Sequence, residues 1–233
     1  PDLSIFFRIK EELEKILTGP APDKAIELLS ATGILKIILP EVENLKGVNQ
    51  PKDFHPEGDV FTHTMLMLKK LRKPSFTLAF AVLLHDIGKP YTYTVTDRIR
   101  FNEHDSVGEK IAEKICERLK LSNKEKEKIL SLIGNHMKFM FVKKMRESKL
   151  KRFLMMENFN EHLELHRLDC IASHKNLENY YFCKKKLAEF ANEINKKNIR
   201  LINGDDLIAL GFTPGPIFKK IFQELEDLLL EKK

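Results

Sequence analysis

The chain has 233 residues, enough for one large or two small domains, with 42% hydrophobic residues and no Trp. Its 40 Lys+Arg against 34 Asp+Glu leave a net charge of +6, which suits a polyanionic partner. No apolar run approaches the ~20 residues of a membrane span, and Pro1-Asp2-Leu3 begins no signal peptide, so a cytoplasmic protein is expected, possessing no initiator Met and thus a fragment or a processed chain.

Leu3 to Leu17 places Ile5, Ile9, Leu13, Ile16 and Leu17 at helical spacing, and Thr18-Gly19-Pro20 ends that helix. Asp23 is placed to cap a second helix carrying Ile26, Leu28 and Leu29, closed at Gly33. Ile34 to Leu39 is a short apolar segment stopped by Pro40, and the chain from 41 to 58 reads as loop. Asp59 caps a helix through Leu71 with His63 in its first turn.

Pro74 opens the next helix, whose six consecutive apolar residues, Ala79 to Leu84, run straight into His85-Asp86 before Gly88-Lys89-Pro90 turns the chain and stops it. A helix apolar on nearly every side is buried, so its end carries an imidazole and a carboxylate into a poorly hydrated interior. Taken alone, the pair fits a core hydrogen bond or half a metal site equally well. Tyr91, Tyr93 and Val95 alternate with Thr, Thr96-Asp97 turns the chain, and Ile99 and Phe101 alternate with Arg, which reads as a β-hairpin.

Helices resume from His104 or Asp105 to Leu119 and from Ser122 to about Lys138, the latter opened by a Ser-x-x-Glu capping box. Further helices are expected over Ser148–Glu157, Asn160–His174 and Asn176–Lys197. Asn203 caps a short helix ended by Gly211, and Pro214-Gly215-Pro216 launches the last one. The fold class is therefore all-α with one small β-hairpin. Cys116, Cys170 and Cys183 show no CxxC spacing, so reduced thiols are expected, with neither a disulfide framework nor a thiolate zinc site. Basic clusters gather in the second half, at Lys143-Lys144, Lys149 to Arg152, Lys184 to Lys186, and Lys196-Lys197 with Arg200. Each fits a solvated helix face, and together they weakly suggest an RNA or nucleotide surface.

Four histidines stand near element ends or hairpins: His63, His85, His104 and His136. Asp169 lies on an apolar stripe formed by Leu165, Leu168 and Ala172, so its carboxylate wants a partner. His55 and His162 read as exposed, His166 as core or support for the site, and His174 as a cationic helix-end cap.

The order His, His-Asp, His, His, Asp, together with His85-Asp86-Ile87-Gly88-Lys89, resembles the HD-domain superfamily of metal-dependent phosphohydrolases. The resemblance implies a helical bundle in which His63, His85, Asp86 and Asp169 hold a first metal. His104 and His136 would hold a second, or contact a substrate phosphate beside a single ion. It makes Asp86 and Lys89 the catalytic pair, with Lys89, Arg98 and Arg100 toward the phosphate. Mixed N and O donors suit Mn, Fe, Co, Ni or Zn, with Mg reachable through the carboxylates.

Ile9 to Leu17, Thr32-Gly33-Ile34-Leu35, Leu39-Pro40-Glu41, His55 to His63, Leu168 to His174 and Ile202 to Pro216 are similar to the neck and HD portion of bacterial tRNA nucleotidyltransferases and poly(A) polymerases. That likeness implies a neck-like segment over 1–50, an HD domain over 51–175 and a helical extension over 176–233 packing on the HD domain. It also implies a nucleotide or tRNA-like RNA partner, with no DNA-reading motif and no membrane. The Gly-Ser turn and Asp-x-Asp pair of the nucleotidyltransferase head are absent, so this chain alone is not expected to add nucleotides. The functions implied are hydrolysis of phosphoesters of nucleotides or RNA ends, as a 2′,3′-cyclic phosphodiesterase, 2′-nucleotidase or phosphatase, or an RNA-binding body with a structural or vestigial HD site. A ligand-free scaffold would strand several buried polar groups.

Overall fold

The computed structural model describes residues 3–51, 55–56, 58–194 and 203–231. Lys196, Lys197 and Arg200 of the last basic cluster, and Glu57 and Ile202 of the quoted motifs, lie outside the described residues.

Among the described residues the protein is all-α apart from one antiparallel hairpin and an isolated bridge between Asn49 and Asp59. It divides into two compact units, one of residues 1–139 and 160–178, the other of residues 140–159 and 179–233. The first unit opens with α1 (Leu3–Thr18), α2 (Pro22–Ala31), α3 (Ile34–Ile38) and α4 (Pro40–Glu43). Ala21, not Asp23, stands at the cap of α2, because Pro22 takes the first helical position with its φ preset; Asp23 is inside the first turn and buried. Pro40 likewise opens α4 where it was expected only to stop α3, so the stretch after it is partly helical.

Asp59 caps α5 (Val60–Lys70), its Oδ1 accepting from the Thr62 amide at 2.9 Å, while its Oδ2 accepts from the Gly47 amide at 2.7 Å. One carboxylate thus fixes both the start of α5 and the loop before it. α6 (Phe76–Leu84) is capped by Ser75, whose hydroxyl accepts from the Leu78 amide, so the helix opens just after Pro74 and not at it, and every one of its residues is buried. It packs on α1, α5 and α9 (Asn123–Asn135), which explains why it needs no polar face.

After α6 come the short α7 (Lys89–Thr92), β1 (Tyr93–Val95), β2 (Ile99–Phe101) and α8 (His104–Arg118). The hairpin register pairs Tyr93 with Phe101, Thr94 with Arg100 and Val95 with Ile99. Gly88 lies in the turn between α6 and α7, with φ −78°. Its missing side chain serves packing: a Cβ there would stand 2.1 Å from the His104 carbonyl oxygen and 2.7 Å from the Gly108 amide. A bidentate pair from Arg118 to Glu41, at 2.7 and 2.8 Å, ties α8 to α4.

The capping box at Ser122 opens α9 as expected, and a 3-10 helix, His136–Lys144, continues from its end. α10 (Glu147–Leu154), α11 (Phe159–Ala172), α12 (Glu178–Ile194), α13 (Gly204–Ala209) and α14 (Pro216–Glu231) complete the chain. Within the second unit α10 packs on α14, and the Lys151 ammonium lies 4.8 Å from the Phe190 ring centre. Gly211 ends α13 in the left-handed region, with φ +90°. The three cysteines are free and buried, and burial pushes each thiol up to about 12.

Candidate metal centre

Each candidate donor sits at a point fixed by its own element. His63 lies in the first turn of α5, held there by the Asp59 cap. His85 closes α6, and Asp86 follows in the turn to α7. Glu103 takes a left-handed conformation, φ +60°, which turns the chain out of β2 so that His104 begins α8. His136 closes α9. Asp169 projects from α11.

These residues come together. His63, His85 and Asp86, at 0%, 1% and 2% exposure, form one triad of donors within 4.8 Å of one another. Asp86, His104 and His136 form a second, and Asp86 is common to both. His85 Nε2 is 3.1 Å from Asp86 Oδ2, and His104 Nε2 is 3.4 Å from Asp86 Oδ1. Asp169 joins through His63, whose Nε2 is 3.2 Å from its Oδ1. Its side chain keeps 29% exposure.

The ring orientations are set by the backbone. His85 Nδ1 lies 2.9 Å from the Val82 carbonyl, His104 Nδ1 2.8 Å from that of Phe101, and His136 Nδ1 2.6 Å from that of Ile133. A carbonyl only accepts, so each Nδ1 carries a proton and each ring turns its Nε2 inward. Burial lowers the pKa of His104; burial and then the neighbouring His104 and His85 lower that of His136 to about 4. Burial alone would raise the Asp86 pKa, but His85 and Lys89 overcome it and hold the carboxyl well below the usual range. At Asp169 burial is likewise outweighed by His63, and the carboxyl is held far down.

This donor set fits a cation. Two donors each ~2.1 Å from one ion stand roughly 3.0 to 3.4 Å apart across octahedral or tetrahedral angles. His85–Asp86 at 3.1 Å, His104–Asp86 at 3.4 Å and the facing Nε2 atoms of His104 and His136 at 3.1 Å match that spacing.

Lys89 is placed differently from a group waiting for phosphate. It is buried, with Nζ 2.7 Å from Asp86 Oδ2, 2.7 Å from Gln50 Oε1 and 5.3 Å from the Phe101 ring centre. Arg98 is exposed in the hairpin turn, and Arg100 pairs with Asp97 at 2.7 Å. Strand alternation explains this: Phe101 faces Lys89, so Arg100 points to the opposite side.

Gln50 is a residue the sequence did not single out, since a polar side chain in a loop carries no periodic signal. His55 is half-buried, its ring edge-on to His63 with centroids 5.0 Å apart. His162 is buried beside Ser131, not exposed. His166 stacks on Phe139 at 4.4 Å, and His174 accepts from the Asn176 amide through Nδ1.

Residues 59–173 match the HD domain family, and residues 7–46 match the family described as the probable RNA and SrmB-binding site of polymerase A. The Multifunctional CCA protein of Vibrio parahaemolyticus is 36% identical over 131 residues, covering 55% of this chain and 32% of that protein. That of Vibrio cholerae is 31% identical over 173 residues, covering 72% and 43%. That of Aliivibrio salmonicida is 29% identical over 235 residues, covering 97% and 54%. The chain therefore spans from about a third to about half of the length of these curated relatives.

Proposed function

Since the chain belongs to the HD-domain superfamily, with the neck and HD portion of the CCA-adding enzyme family, we propose that it is a metal-dependent phosphohydrolase acting on phosphoesters of nucleotides or RNA ends. The reactions proposed are those of a 2′,3′-cyclic phosphodiesterase, a 2′-nucleotidase or a phosphatase. Within this reading, residues 1–50 are a neck, 51–175 the HD domain and 176–233 a C-terminal extension, in a protein of the cytoplasm. Among the described residues, no helix is long and apolar enough to cross a membrane.

The observation that carries the proposal is the pair of donor triads sharing Asp86. His63, His85, Asp86 and Asp169 would hold one divalent ion, and Asp86 with His104 and His136 a second. Ions of the Mn, Fe, Co, Ni, Zn or Mg class bound there would polarise a phosphoryl oxygen and lower the pKa of a bound water to supply the nucleophile. The protein's own share is orientation. The carbonyls of Val82, Phe101 and Ile133 fix the rings, and Lys89, anchored by Gln50, steadies the Asp86 carboxylate. Lys89 then acts beside the reacting phosphate as a positioning group, with Arg98 and Arg100 outside the inner site.

A second reading, an RNA-binding body whose metal site is structural, is favoured by the match over residues 7–46 to an RNA-binding family and by the net charge of +6. Turnover separates the two. Protein reconstituted with Mn, Co or Ni is expected to hydrolyse adenosine 2′,3′-cyclic phosphate or adenosine 2′-monophosphate, and Asp86→Ala to lose that activity. Metal-loaded protein that hydrolyses neither overturns the first reading and leaves the second.

A further inference from the structure

The hairpin between Lys89 and His104 is not used by the metal centre except for one carbonyl, yet it exposes aromatic surface beside it. Tyr93 is 42% exposed, Val95 60% and Tyr91 57%, an unusual grouping of large apolar side chains on so short an excursion. The register places Tyr93 directly across from Phe101, so the two rings share one face, with centroids 5.7 Å apart at 59°. That face leads inward. The Phe101 ring lies 5.3 Å from the Lys89 ammonium, which lies 2.7 Å from Asp86 Oδ2. Phe101 also gives its carbonyl to His104 Nδ1 at 2.8 Å.

We propose that the Tyr93–Phe101 face of the hairpin is the platform on which the substrate's nucleobase stacks while its phosphoryl group lies at Asp86. The proposal rests on the phosphohydrolase reading and names the end of the substrate that reading leaves open. Three successive contacts, from ring to ring to ammonium to carboxylate, connect an exposed aromatic surface to the donor cluster. A nucleobase is the occupant whose chemistry fits both ends. Its flat ring stacks on an aromatic side chain whatever its identity, and the phosphoester it carries is the group on which the donor cluster at Asp86 is proposed to act. The hairpin's other face, Thr94 and Arg100 with its Asp97 partner, offers no ring and serves as an internal control.

The test compares two substrates and two faces. Adenosine 2′,3′-cyclic phosphate carries the base; methyl riboside 2′,3′-cyclic phosphate lacks it. In metal-loaded protein, Tyr93→Ala is expected to raise KM for the adenosine ester about tenfold, from the stacking energy of one base, with kcat nearly unchanged. KM for the base-free ester should stay within twofold, Tyr93→Phe should restore adenosine binding, and Thr94→Ala should change neither. Calorimetric binding of adenosine 2′-monophosphate to the metal-loaded proteins should show the same tenfold ratio without turnover. Equal affinity of wild type and Tyr93→Ala for the nucleotide, or equal losses on both esters, overturns the platform. Failure of wild type to hydrolyse even the base-free ester strikes the phosphohydrolase reading instead, while the calorimetric ratio still decides the platform.

Discussion

The Nε2 atoms of His104 and His136 face each other at 3.1 Å. Both rings have already given their Nδ1 protons to backbone carbonyls, so two lone pairs meet across that gap. Such a contact is repulsive unless a cation lies between them, and Asp86 Oδ1, 3.4 and 4.0 Å from the two nitrogens, supplies a third donor on the same side. His136→Ala removes one donor from this triad and none from the other. The expected outcome is loss of about one ion per chain by elemental analysis, with the remaining ion retained. His63→Ala should reverse the pattern and spare the His104 side.

Lys89 should matter most when no metal is bound. Its ammonium is the cation on Asp86 Oδ2, and removing it leaves a buried carboxylate exposed to its own desolvation cost. Lys89→Met is expected to destabilise the metal-free protein by about 3 kcal/mol and the metal-loaded protein much less, since a bound ion takes over the charge. Thermal unfolding with and without metal checks this. Equal losses in both states would show that Lys89 acts only through packing.

Gly88 tests the backbone contact that brings α8 against the end of α6. In Gly88→Ala the new Cβ meets the His104 carbonyl and the Gly108 amide, both backbone atoms unable to move aside. The expected cost is about 3 kcal/mol or more, with weakened metal retention on the His104 side, because His104 moves with its carbonyl. A variant with unchanged melting temperature and full metal content would contradict the close approach.

His162 should make the protein acid-sensitive. Burial, then Lys138 and Lys128, lowers its pKa from 6.5 to about 4. Between about pH 6.5 and pH 4 the unfolded chain binds a proton that the native state refuses, so stability falls as pH falls through that window and is unaffected above it. The contribution is on the order of 3 kcal/mol at the acid end. In His162→Gln the denaturant midpoint should fall less steeply over that range, by about one proton's slope. An identical slope would place the sensitivity elsewhere.

The donor set was legible because its signals are local. A wholly apolar helix ending in His85-Asp86, a cap before His63 and a helix start at His104 can each be read from a few neighbouring residues. The surroundings were not legible in the same way. That Arg100 faces away follows from which face of the hairpin Phe101 presents to Lys89, a tertiary choice that alternation alone leaves open. Gln50 reaches Lys89 across 39 positions of sequence, with nothing near it to mark the contact. Gly88 lies in the turn after α6 as its sequence suggests, but its closeness to the His104 carbonyl depends on α8 lying against it, which no neighbouring residue marks. His162 shares a helix with Asp169, and its burial comes from α9 through Ser131.

Asp86 belongs to both candidate sets of metal donors. Metal content of protein reconstituted with Mn, Co or Ni and freed of excess ion measures this directly, on wild type and on Asp86→Ala side by side. Wild type is expected to retain about two ions per chain and Asp86→Ala none. One ion per chain or fewer in the wild type, or an Asp86→Ala protein that holds as much metal as wild type, would contradict it.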